Sequence, residues 1–192
     1  MRKIVLLTIA KGNSKRLKNK NKIKYKGKSM FLWNIEKGLS ITKNYYFNSD
    51  DAEMIDAASK LGLKIIKREK KLLGHEIPSR LIFKSCLEKM PKNVDGILHI
   101  QANSPNLDLN LIKCALKIMQ LNKIEELLTC DENYNQYGSL WGITRKRIKE
   151  YNMNKSIHDR KVIKPDCYLV DKSIDIHNIK DFKLSLKQSN NR

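Results

Sequence analysis

The chain has no long hydrophobic run near its N-terminus. Its first apolar stretch, Ile4 to Ala10, lasts about seven residues before Lys11 interrupts it. A membrane-spanning helix needs roughly 20 apolar residues, and a signal peptide needs a small-residue cleavage site that does not follow here. Membrane insertion and export are therefore not expected, and a cytoplasmic location is. Cysteine is scarce: Cys86, Cys114, Cys130 and Cys167 are scattered, and no pair has Cys-x-x-Cys spacing. That argues against a structural zinc site. Three of the four sit in apolar or mixed runs and read as reduced core thiols. Glycine is sparse too, with 8 in 192 residues. The loop that follows the first apolar stretch contains Gly12. It lacks the second glycine with Lys-Ser or Lys-Thr that makes a P-loop, and the three spaced glycines of a dinucleotide site. Neither an internal repeat nor a linker composition is present. One domain over residues 1–187 is expected, with 188–192 as a disordered tail.

Acidic residues are the other shortage. Asp and Glu number 20 against 39 Lys and Arg, for a net charge of +19. Basic residues alternate from Lys15 through Lys28, a pattern that can track a phosphate backbone. The cations are nevertheless spread along the whole chain, and only Tyr25 interleaves with that run, so a stacking platform for bases is missing. A positive field that draws in a nucleoside triphosphate explains the same charge, and specific nucleic-acid binding is not expected.

What is present is an alternation of strand and helix patterns. Strands are read over 4–10, 45–48, 63–66, 96–101, 126–130 and 139–144, and helices over 31–39, 52–60, 78–89 and 109–121. Asp50 or Asp51 is a candidate N-cap for the second helix, and Pro78 opens the third. The βαβα order predicts a three-layer α/β/α sandwich around a mainly parallel sheet, a Rossmann-like architecture. Ligands of such sheets bind beyond the carboxyl ends of the strands, so the loop after Ala10 and the segment after Ile100 face one crevice.

The loop Ala10-Lys11-Gly12-Asn13-Ser14-Lys15-Arg16, followed by Lys20-Asn21, resembles the signature of the sugar-acid cytidylyltransferases, the acylneuraminate (CMP-sialic acid) synthetase family. The resemblance continues in order through Asn48-Ser49-Asp50-Asp51, Ile100-Gln101-Ala102-Asn103-Ser104-Pro105 and Ser173-Ile174-Asp175-Ile176-His177. It implies transfer of CMP from CTP to a hydroxyl or acidic group of a sugar acid or related anionic acceptor, with pyrophosphate leaving. Such enzymes serve cell-surface polysaccharide synthesis. Two other classes stay open: a nucleotidyltransferase for a smaller, phosphorylated or phosphonate acceptor, and a non-catalytic nucleotide- or nucleic-acid-binding protein on the same fold.

The resemblance also implies roles. Lys11, Gly12, Ser14, Lys15, Arg16 and Lys20 are the triphosphate-facing set, because a triphosphate needs cations, a hydroxyl and backbone N–H groups together. Asn21 and Gln101 fall with ribose or acceptor contacts, and Ser79 where relatives place a small hydroxyl near the cytosine. Asp175 is the carboxylate for Mg²⁺. It is read as lying on a strand with His177, which stands where relatives have a second Asp. His177 is then a Mn²⁺-favouring ligand, a base, or a structural residue. Relatives carry a long excursion after the strand that ends here at Cys130. It builds their dimer and supplies basic residues for the acceptor carboxylate. This chain passes directly from Asp131 to Gly138, so a monomer or a dimer through another surface is expected.

Overall fold

The computed structural model describes residues 1–14, 16–74, 76–121, 123–151 and 164–190. In chain order, β1 (Ile4–Ala10) leads to a small hairpin, β2 (Lys24–Tyr25) and β3 (Lys28–Ser29), and then to α1 (Met30–Ile41). Next come β4 (Tyr45–Ser49), α2 (Ala52–Lys60), β5 (Lys64–Lys67) and α3 (Ser79–Lys89). β6 (Gly96–Ile100) and α4 (Leu109–Leu121) precede the antiparallel pair β7 (Glu126–Cys130) and β8 (Gln136–Thr144). α5 (Arg145–Glu150), β9 (Cys167–Val170) and α6 (Ile179–Asn190) complete the described chain.

Seven strands form one sheet in the order β5-β4-β1-β6-β8-β7-β9. Only β8 runs against its neighbours; the other adjacent pairs are parallel. β1 lies between β4 and β6 and is covered on both faces, which is why its sequence is apolar throughout rather than alternating. Phe31 and Ile35 of α1, Met54 of α2 and Ile112 and Met119 of α4 pack on one face against Leu6, Phe47 and Leu98. Phe83 and Leu87 of α3 and Ile148 of α5 pack on the other against Leu7, Ile97 and Ile143. Each fully buried side chain of this size contributes about 1.5–3 kcal/mol. The expected three-layer sandwich is thus the observed one. All four cysteines are free; Cys86 and Cys130 are buried, Cys167 is half-buried and Cys114 is exposed.

Three features depart from the sequence reading. The strand expected over 139–144 begins at Gln136, because Asp131 closes a tight turn by accepting from the backbone N–H groups of Asn133 and Asn135, both at 2.9 Å. The segment 171–177 has no strand, so Asp175 and His177 sit on extended chain beyond the end of β9. The expected tail is helical as far as Asn190. Gln188 there donates to the Lys172 carbonyl at 2.6 Å and accepts from Asn106 at 3.0 Å. Its polar composition suggested disorder, but distant partners hold it.

Candidate functional site

Because β1, β4, β5 and β6 are parallel, their carboxyl ends share one edge of the sheet, and the N-termini of α2 and α3 return from that edge. The reversal at β8 brings the carboxyl ends of β7 and β9 to the same edge. The loop after β1, the segment after β6 and residues 171–177 therefore meet, although they are far apart in sequence.

The loop after β1 is built around Gly12. Its N–H donates to Asp50 Oδ1 at 3.1 Å. A Cβ at this position would stand 2.9 Å from both Cβ and Oδ2 of Asp51. Asp51 has no room to yield. Its Oδ1 caps α2 at the Met54 N–H at 3.0 Å, and its Oδ2 pairs with Lys22 at 3.0 Å. Asn19 takes a left-handed conformation, φ 53°, and starts the 3-10 turn Lys20–Lys22. That turn points Lys20 inward. Burial pushes the Lys20 ammonium down to about 8, against the pull of Asp175, with Arg16 lowering it further. Buried Asn21 donates to the Lys11 carbonyl at 3.0 Å and so holds the loop closed. The Lys11 ammonium reaches away, to the carbonyl of Leu73.

Facing Lys20 is a chain of side chains that no single segment contains. Arg16 Nη2 lies 2.9 Å from His177 Nδ1. Arginine can only donate, so Nδ1 accepts and Nε2 carries the proton. His177 Nε2 is 2.9 Å from Asp175 Oδ2. Asp175 Oδ1 accepts from Asn103 Nδ2, which also donates to the Ile176 carbonyl at 2.7 Å. The Ile176 N–H returns a bond to the Asn103 carbonyl at 2.9 Å. Asn103 thus fastens 175–177 to the end of β6. Asp181 of α6 accepts from the backbone N–H of His177 at 2.8 Å and fixes the other side.

The structure brings together Gly12, Arg16, Lys20, Asn21, Asp175 and His177. Ser14 on the loop, Ser79 at the first turn of α3 and Gln101 just past β6 make no side-chain hydrogen bond among the described residues. Lys15 lies outside the described residues, as does His75. Sequence reasoning missed Asn103, although it stands inside the Gln101 to Pro105 motif, two residues after the glutamine. It also missed Arg68, which donates to Asn48 Oδ1 at 2.8 Å and is electrostatically linked to Asp50. An arginine at the end of a short apolar strand was the available signal.

Among the described residues, no group of three His, Cys, Asp or Glu side chains could hold a metal ion. A single carboxylate such as Asp175 offers the oxygen that a hard divalent cation takes, and such a cation commonly completes its shell with substrate phosphates. His177 in this arrangement has both ring nitrogens engaged and offers no free lone pair.

Residues 5–169 match the family model described as cytidylyltransferase. The pseudaminic acid cytidylyltransferase of Campylobacter jejuni subsp. jejuni is 26% identical over 167 residues, spanning 78% of this chain and 72% of that protein. The structure of a CMP:2-keto-3-deoxy-manno-octonic acid synthetase complexed with CTP superposes with a TM-score of 0.76 at 12% identity, over 98% of this chain and 99% of the other. A manganese complex of a Mycobacterium tuberculosis protein superposes with a TM-score of 0.69 at 12% identity, over 96% and 98% of the two chains. At these identities the structural likeness establishes the fold.

Proposed function

The chain belongs to the cytidylyltransferase family, and from that premise we propose that it transfers CMP from CTP to a hydroxyl of a sugar acid or related anionic acceptor, releasing pyrophosphate. The observation that carries this reading is the convergence of Lys20 and Arg16 on the Asp175–His177 pair at the carboxyl edge of the sheet. A triphosphate is there met by two cations, and an attacking hydroxyl by an oriented imidazole.

In the proposed reaction the acceptor oxygen bonds to the α-phosphorus while the bond from that phosphorus to the β-bridging oxygen breaks. Lys20 and Arg16 neutralise charge that would otherwise repel an anionic acceptor. A triphosphate is a stronger partner for Arg16 than a neutral imidazole, so its binding draws Arg16 away and frees His177 Nδ1. Asp175, accepting the hydrogen bond from Nε2–H, keeps the ring in the tautomer whose Nδ1 takes the acceptor's proton, and it stabilises the imidazolium that results. A divalent cation, Mg²⁺ or Mn²⁺, would be held by Asp175 together with the phosphates and would supply further charge neutralisation. In this reading Gln101 contacts a ribose or acceptor hydroxyl, while Asn21, whose amide N–H is bonded to the Lys11 carbonyl, acts by holding the loop. The domain boundaries proposed with this function extend the single domain through α6.

The base is tested by thermal unfolding with each nucleoside triphosphate and Mg²⁺. At about 100 times its Kd, CTP is expected to add ~2.7 kcal/mol of stability, and ATP or GTP less at the same concentration. An equal or larger shift with ATP or GTP would overturn the cytidylyl reading. The acceptor is tested by pyrophosphate release with pseudaminic acid and 2-keto-3-deoxy-manno-octonic acid, the acids in the relatives' names.

Lys20 allows a second expectation. Losing one charge-assisted contact costs about 1.5–3 kcal/mol, so Lys20→Ala is expected to weaken CTP binding by roughly 10- to 150-fold and CMP binding far less. The ammonium is charged below about 8 and neutral above it. CTP affinity of the wild type should therefore fall between pH 7 and pH 9, and that slope should flatten in Lys20→Ala. Titration calorimetry with CTP and CMP at both pH values decides it; equal weakening for the two nucleotides would place Lys20 off the polyphosphate.

A further inference from the structure

Two clefts flank the start of β8 and share Tyr137 as a wall. One, of about 530 Å³, reaches the Asp175–His177 pair and is lined by Asp131, Glu132 and Asp171, with Lys172 paired to Glu132 at 2.6 Å. The other, of about 220 Å³, lies against α3 and β8 and has no carboxylate in its lining among the described residues. Its charged groups are Arg80 and Lys164, with Gln136 and Trp141 beside them. A carboxylate is repelled by the first set and attracted by the second.

Arg80 is held in an unusual way. Its guanidinium carbon stands 3.6 Å from the Tyr151 ring centroid and 5.3 Å from that of Trp141. One N–H group donates to Tyr151 Oη at 3.0 Å. Its Nε is buried with no hydrogen-bond partner among the described residues. The nearby carboxylate is Glu126, fully buried and 3.9 Å away, too far for a hydrogen bond. Glu126 is engaged elsewhere: it accepts from Trp141 Nε1 at 2.9 Å and from Tyr151 Oη. Arg147, the other guanidinium near Glu126, is by contrast paired with Asp166 at 2.7 Å and Glu150 at 3.1 Å. Glu126 therefore orients the two aromatic walls, the walls orient Arg80, and among the described residues the Arg80 guanidinium makes one hydrogen bond, that to Tyr151, beside a cleft it lines. A planar fork with spare N–H groups matches a carboxylate in two parallel bonds.

We propose that this cleft is the subsite for the acceptor's carboxylate, with Arg80 as the group that reads it. The proposal rests on the sugar-acid reading above. It explains how a chain that runs directly from Asp131 to Gly138 recognises an anionic acceptor: the cations come from α3 and from Lys164. The cleft is large enough for a carboxylate and the carbons next to it, and the rest of the sugar lies past Tyr137 toward His177.

The test compares each of the two sugar acids with its carboxamide, using protein saturated with a non-hydrolysable CTP analogue. Wild type is expected to bind the acid at least tenfold more tightly than the amide. Arg80→Gln is expected to bind the acid 10- to 100-fold more weakly and to lose the preference, while CTP binding stays within twofold. Should Arg80→Gln fail to fold, Arg80→Lys keeps the charge beside Glu126 and loses the fork; its preference for the acid should fall by several-fold. Undiminished preference in the folded variant overturns the proposal. So does a wild type that binds neither acid yet is stabilised by CTP, an outcome that leaves the nucleotide half of the proposed function standing. Absence of CTP binding would instead remove the reading beneath it, and the proposal with it.

Discussion

Asp175→Asn is expected to slow CMP transfer by about 10²- to 10⁴-fold, the range associated with losing an oriented acid–base group. The substitution preserves size, and the new amide oxygen can still accept from Asn103, so the segment 175–177 should keep its place. What is lost is the charge. An amide facing His177 Nε2 offers no carboxylate to hold the proton there, and the ring is free to take the other tautomer, which blocks Nδ1. The same change removes the carboxylate proposed for the divalent cation. Pyrophosphate release at saturating CTP and acceptor measures the rate. CTP binding in the presence of a chelator should be nearly unchanged, which separates a chemical defect from a folding defect. Full activity in Asp175→Asn would take both the metal and the dyad out of the proposed mechanism.

The second large effect concerns stability. His99 on β6 is 2% exposed, and neither ring nitrogen has a hydrogen-bond partner among the described residues. It packs beside Phe83 at 5.1 Å between ring centroids. Burial pushes its pKa down to about 3, with Arg68 lowering it further and Asp175 opposing. An unfolded histidine titrates near 6.5. Between those values the unfolded chain binds a proton that the folded protein does not, so stability falls as pH falls from 6.5 toward 3. Crossing the whole window corresponds to on the order of 5 kcal/mol, and reaching pH 5 already to about 2. His99→Leu removes this term and two unpaired polar atoms. It should stabilise the protein by about 1–3 kcal/mol at pH 7 and widen its advantage at pH 5. Urea unfolding at the two pH values tests this. Parallel losses in wild type and variant would assign the acid sensitivity to other groups.

His99 also illustrates where sequence reading stops. Gly96 to Ile100 reads as a buried strand whatever occupies its fourth position, and nothing local signals that the imidazole lacks partners. Glu126 is similar: a charge opening an apolar strand looks like an exposed edge. The fold buries it against Trp141, Tyr151 and two arginines. By contrast, the polar loop of Gly12, Arg16 and Lys20 was legible because a strand must end where it begins. A cap at Asp50 or Asp51 was legible because both stand before a helical pattern, and the structure selects Asp51.

The sequence by itself determined the alternation of strands and helices, the apolar center of the sheet, the family resemblance and the residue types on the loop after β1. These are local properties: periodicity, capping and turn chemistry act over a few residues. The tertiary structure decided which of those residues meet. Asn103 and Asp175 are 72 positions apart, and Arg16 and His177 are 161 apart. Their contact depends on strand order and on the single reversal at β8, which together bring three distant segments to one edge. It also decided that α6 runs to Asn190 and that Arg80 is framed by aromatic rings. Such arrangements are set by the net packing of the whole chain, where many small long-range terms outweigh any local preference.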